Sequence, residues 1–129
     1  AVTYHCGFRQ PFERLMPIET QKKLQQKGAT VVSGTHTLSG LERSVAQRYQ
    51  GTYPVLVMAD TLRLFGQGTK VAVEVAVMAA DAGALSGEDI IAVGGTANGA
   101  DAALVIKPAH MNNFFDLRVR EVICKPSHF

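Results

Sequence analysis

Four stretches of the chain hold residue types that could do chemistry. The first is Gly94-Gly95-Thr96-Ala97-Asn98-Gly99-Ala100-Asp101, directly after an apolar run. Small residues in such a place let backbone N–H groups approach an anion closely. The run is neither a Rossmann fingerprint nor a Walker loop, and a glycine-rich hairpin turn explains it equally well. The second stretch is Thr35-His36-Thr37-Leu38-Ser39-Gly40-Leu41-Glu42-Arg43, where hydroxyls and an imidazole gather at the start of a helix. Ser39 and Glu42 match the Ser-x-x-Glu capping box, which accounts for both without a ligand and leaves His36 unexplained. The third, Tyr4-His5-Cys6-Gly7-Phe8, brings rings and an imidazole to a strand end, although packed aromatics are the commoner outcome. The fourth spans residues 107–116, with His110, Asn112, Asn113, Phe114 and Phe115, and offers amides and rings to a planar ligand. Its plainer reading is buried phenylalanines and turn-forming asparagines.

Other chemistries find less support. His5, His36, His110 and His128 lack the spacing of metal ligands, so no metal site is expected. Cys6 follows His5, and consecutive residues on a strand point to opposite faces, which makes a poor nucleophile–base pair. Glu74 and Asp81 share one helical face, where a solvated stripe or an ion pair accounts for them.

Periodicity places these residues on elements. A strand over 2–5 leads through a loop over 6–16 to a helix over 17–27, opened by Pro17 and closed by Gly28. A β-branched strand over 29–33 follows, so strand, helix and strand form a parallel crossover unit. Leu41, Val45 and Tyr49 mark a helix from Gly40, with Ser39 as N-cap, that stops at Gly51. Pro54 opens another helix that runs to Gly66. Residues 70–82 fit both periods, because Val71, Val73, Val75 and Val77 alternate while Val71, Val75, Met78 and Ala82 share a helical face. Length and the run Met78-Ala79-Ala80-Asp81-Ala82 decide for a helix. Strands are expected over 89–93, apolar enough to be covered on both faces, over 102–106, also apolar, and over 117–124. The loop between the first two is too short for a crossover helix, so they pair antiparallel in a mixed sheet.

Composition bounds the function. At 129 residues the chain is one domain, with 47% hydrophobic residues for a core and 19% charged, too few for a disordered tail. Thirteen Lys and Arg against eleven Asp and Glu give a net charge of +2, scattered rather than striped, so no nucleic-acid partner is expected. The longest apolar stretch, 71–85, is interrupted by Glu74 and Asp81 and falls short of the roughly 20 apolar residues of a membrane span. Cys6 and Cys124 near opposite ends read as reduced thiols of a cytoplasmic protein. The chain opens strand-like at Ala1-Val2-Thr3-Tyr4-His5, with no cap or signal-peptide pattern, and reads as a piece of something longer.

Several runs carry a resemblance: Val2-Thr-Tyr-His-Cys-Gly-Phe8, His36-Thr-Leu-Ser-Gly-Leu-Glu-Arg-Ser44, Leu64-Phe-Gly-Gln-Gly68, Val77-Met-Ala-Ala-Asp-Ala-Gly83, Ala92-Val-Gly-Gly95, Gly99-Ala-Asp101 and Lys107-Pro-Ala-His-Met-Asn-Asn-Phe-Phe-Asp116. Together they resemble the prokaryotic family of stand-alone proteins related to the C-terminal α/β domain of pyruvate kinase, over essentially the whole chain. The resemblance implies a three-layer α/β/α sandwich with a mixed, mostly parallel sheet, and a binder of flavin mononucleotide (FMN) with no assigned reaction. Pyruvate kinase activity is not implied, because a chain of this length has no room for the catalytic barrel. Relatives carry an additional N-terminal region with a Lys-Pro-Gly strand end, a helix and a small-residue loop. The 129 residues then correspond to the C-terminal two-thirds of a longer domain, and association with that region or with a second copy is expected, since a truncated sheet exposes an edge.

The expected ligand is FMN or a similar phosphorylated molecule held at strand-end loops, its ring against aromatic groups and its phosphate on backbone N–H groups and hydroxyls. Gly95, Thr96, Gly99 and Asp101 are the candidates for its polar part, and Tyr4, Gly7, His36 and Asn113 for further wall residues; none is assigned a catalytic role. A rival reading is a regulatory module for a phosphorylated metabolite, without redox chemistry. A third is a hydrolase or lyase with His36 or His110 as general base.

Overall fold

The computed structural model describes residues 1–97 and 99–129; Asn98, inside the glycine-rich run, lies outside the described residues. The first unit is strand β1 (Val2–Tyr4), helix α1 (Ile18–Gln26) and strand β2 (Val32–Gly34). β1 and β2 pair in parallel with Val2 opposite Val32, as expected of a strand–helix–strand crossover. Pro17 is the N-cap of α1 rather than its first residue. Gly28 sits past its C-terminus at φ +86°, a conformation that glycine adopts without steric cost.

Three helices follow: α2 (Gly40–Tyr49), α3 (Pro54–Arg63) and α4 (Gln67–Asp81). α4 begins one turn earlier than its apolar pattern suggests. Gly68 hides that turn in the sequence because glycine is a poor helix former. A Cβ there would lie 1.8 Å from Asp101 Oδ1, so close packing rather than propensity selects the residue. Val73, Val77, Ala72, Ala76 and Ala80 of α4 are all buried, which explains how a valine-rich segment remains helical.

Strands β3 (Ile90–Thr96), β4 (Gly99–Lys107) and β5 (Arg118–Cys124) form an antiparallel meander, with a 3₁₀ segment at Met111–Asp116 between the last two. The protein is thus mixed α/β, but its strand pairings correct the expectation of a mostly parallel sheet: the described strands form one parallel pair and one antiparallel three-stranded sheet. The short connections between β3 and β4 and across 108–117 cannot hold the crossover that parallel neighbours require.

α4 packs on β3 and β4 and is backed by α3. Ala92, Leu104 and Ile106 of the sheet meet Ala72, Val73 and Ala76 of α4, with Leu38 and Ala59 completing the core. Burial on the meander is one-sided. The inner face carries Ala102, Leu104 and Ile106, whereas Ile91 and Val93 on the outer face are 67% and 52% exposed. Coverage on both faces, the expectation for residues 89–93, is therefore not found. Apolar residues on both sides of a strand do not distinguish a covered face from an open one. No helix among the described residues is long and apolar enough to cross a membrane.

Candidate functional site

A cleft of about 250 Å³ opens between β1, the loop after β2, and α4. Its walls include Tyr4, Phe8, His36, Arg43, Arg63, Lys70 and Glu74. A second cleft, of about 400 Å³, adjoins it at the N-terminus of α2, and Phe8 and Arg43 line both. Aromatic groups thus sit next to cationic ones, and the backbone explains why: β1 and β2 are parallel, so their C-terminal loops emerge at the same end of the pair.

The aromatic wall is a ring cluster. Tyr4 and Phe8 stack with centroids 4.4 Å apart, and His36 meets Tyr4 edge-on at 4.9 Å and Phe8 at 5.0 Å. His5 adds edge contacts to Phe8 and His36. Gly7, at φ +82°, turns the loop that carries Phe8 and lines the second cleft. Burial holds the His36 imidazole below its ordinary value of 6.5; Glu74 pulls it upward, while Lys70, His5 and Arg43 push it further down. At neutral pH the ring cluster is therefore uncharged at His36.

The cationic wall comes from α2, α3 and α4. Arg63 is engaged, bonded to Asp60 at 2.5 Å and to Gln67 at 2.7 Å. Lys70 pairs with Glu74, and both are only 3% exposed. The other Glu74 oxygen accepts the Leu38 N–H at 2.8 Å. Burial lowers the Lys70 pKa, against the pull of the Glu74 carboxylate. The side chain of Arg43, which is exposed, has no ion pair or hydrogen bond among the described residues, and neither does the side chain of Ser39, a residue 5% exposed that lines the second cleft.

The capping box is not formed. Ser39 makes no side-chain cap, and Glu42 accepts the Leu56 N–H at 3.0 Å, capping α3 instead of its own helix.

Tyr4 and His36 share the first cleft and Gly7 borders the second, whereas Gly95, Thr96, Gly99, Asp101 and Asn113 line neither. Thr96 and Gly99 pair across the β3–β4 turn, and a Cβ on Gly95 would fall 1.8 Å from Gly99 O. Asp101 Oδ1 is buried against Gly68 without a hydrogen-bond partner among the described residues. Asn113 accepts the His110 N–H and donates to Asp116, each at 3.1 Å, which is turn chemistry. His110 Nδ1 lies 3.1 Å from Asp81 Oδ1, which also accepts the Met111 N–H. Of the two carboxylates expected on one face of the helix, Glu74 is buried and Asp81 is not.

Sequence reasoning passed over Lys70, and of its two readings for Glu74, a solvated stripe or an ion pair, the ion pair is the one formed. Their signal was present: opposite charges four apart inside an apolar helix, where a solvated face is absent. Compared with models of known protein families, the chain matches none.

Proposed function

We propose that the joined clefts bind a flat ring carrying an anionic group, and that FMN is such a ligand. In this reading Tyr4, Phe8 and His36 face the ring, while Arg43, Ser39, Ser44 and the N-terminal N–H groups of α2 take the phosphate. The observation that carries it is the adjacency, along the joined clefts, of the ring cluster to the exposed Arg43 side chain, which has no ion pair among the described residues, and to Ser39 and Ser44 at the N-terminus of α2. A guanidinium and hydroxyls beside a helix N-terminus suit an anion, and the helix dipole adds to that attraction. Bound there, FMN would supply electron-transfer chemistry. The phosphate moves in this reading from the glycine-rich hairpin to α2, and the hairpin glycines serve packing.

The resemblance to the pyruvate-kinase-related family, with its three-layer sandwich, belongs to the same proposal, as does a cytoplasmic setting. The rival ligand, a phosphorylated metabolite without a ring, would use the Arg43–Ser39 end alone. Calorimetric titration with FMN and with sugar phosphates separates the two. FMN binding that weakens when Tyr4 or Phe8 is replaced by alanine supports the ring site. Equal affinity for a sugar phosphate and FMN contradicts it.

A further inference from the structure

Lys70 plays no part in that phosphate site, yet it is the least expected residue of the cleft. An ammonium group has three donors, and Lys70 has one recorded acceptor, Glu74 Oε2. Two of its N–H groups therefore lack a protein acceptor among the described residues, although the side chain is almost wholly withdrawn from solvent. The cleft it lines offers room for another partner. Glu74 is fixed at both oxygens, by Lys70 and by the Leu38 N–H, so it stands ready to exchange a proton with Nζ without rearrangement.

We infer that Lys70 is a nucleophile that forms an imine with an aldehyde or ketone bearing an anionic group. This rests on the reading of the cleft as a site for anionic ligands and adds a covalent step to it. Lys70 Nζ passes a proton to Glu74 Oε2, and its lone pair attacks the carbonyl carbon to form a C–N bond. The carbonyl oxygen takes up one proton from the nitrogen and the one held by Glu74, then leaves as water as the C=N bond forms. The product is a protonated imine beside an ionised Glu74, so the step conserves charge and needs no redox partner. Burial, which lowers the Lys70 pKa, favours the neutral amine that such a step requires. Arg43, whose side chain has no ion pair among the described residues, is placed to hold the anionic group of the carbonyl compound.

The test uses pyridoxal 5′-phosphate as probe, with borohydride reduction to fix any imine and peptide mass mapping to locate it. The intact protein should carry the label at Lys70 in preference to Lys22 and Lys23 of α1 and Lys27 just past its end, and excess FMN should suppress it. Labelling should be lost at this position in Lys70→Arg and slowed in Glu74→Gln, with circular dichroism reporting whether each variant folds. Label confined to the surface lysines, while the probe still displaces FMN, overturns the imine and leaves the anion site standing. Failure of both FMN and the probe to bind overturns the site and the imine together. Label at Lys70 that FMN does not suppress supports the imine and contradicts the shared site.

Discussion

Glu74 on α4 accepts the Leu38 N–H at 2.8 Å, tying the loop after β2 to the helix that forms the cleft floor. Its second oxygen holds Lys70, so one buried carboxylate fixes both a backbone loop and a buried cation. Glu74→Leu strands the Lys70 ammonium and the Leu38 N–H together. We expect a loss of about 3–5 kcal/mol, the usual cost of leaving one member of a buried pair. Urea denaturation checks this, and Lys70→Met combined with Glu74→Leu should recover a large part of the loss. A Glu74→Leu protein as stable as the parent contradicts the burial of the pair.

Gly94 and Gly68 bring the backbones of the meander and α4 close together. A Cβ on Gly94 would lie 2.1 Å from Gly68 O and 2.5 Å from Ala72 N, both backbone atoms that cannot yield independently. Gly94→Ala should cost roughly 1–3 kcal/mol or more through overpacking. Gly87→Ala, where nothing lies within 4 Å but φ is +90°, should cost only the strain of a positive φ, about 1 kcal/mol. Thermal midpoints of the two variants test the order, and the reverse order contradicts the packing role given to Gly94.

His36 makes stability depend on pH in a defined direction. Burial depresses its pKa below 6.5, so the unfolded chain takes up this proton at a higher pH than the folded chain does. Its contribution is complete above pH 6.5 and is lost as pH falls from there through the folded value. The groups facing it are Glu74, which opposes the shift, and Lys70, His5 and Arg43, which reinforce it. Urea midpoints measured from about pH 7 to about pH 5 should fall more steeply for the parent than for His36→Gln. Parallel slopes contradict the assignment.

Much of the fold was legible in residue patterns. Pro17, Gly28, Pro54 and Gly66 mark the ends of elements because their backbone preferences act locally. The valine-rich helix was separable from a strand by length and by its alanine-rich end. The first turn of α4 was not, since Gly68 is selected by Asp101, a residue far away in sequence. The strand pairing of β5 was hidden for the same reason: register depends on contacts, and its residues 118–124 alternate weakly.

The site was legible in part. Tyr4 and His36 stand out as rings at strand ends, and they meet. The glycine-rich run drew attention because phosphate-binding loops and hairpin turns use the same small residues. Ser39 and Glu42 fit a capping box by spacing alone, but Glu42 reaches α3, which no local pattern reveals. Lys70 and Glu74 gain their meaning from burial, which depends on how α4 packs against the rest of the chain.

The most direct measurement is a titration of the purified protein with FMN, followed by quenching of flavin fluorescence, for the parent and for Arg43→Ala. Saturable quenching is expected for the parent. Removing the guanidinium should weaken binding by about tenfold to a hundredfold, the range for a charge-assisted hydrogen bond to phosphate, with the far-ultraviolet circular dichroism spectrum unchanged. Absence of quenching in the parent, or affinity that Arg43→Ala leaves untouched, contradicts the assignment of this cleft to an anionic ring.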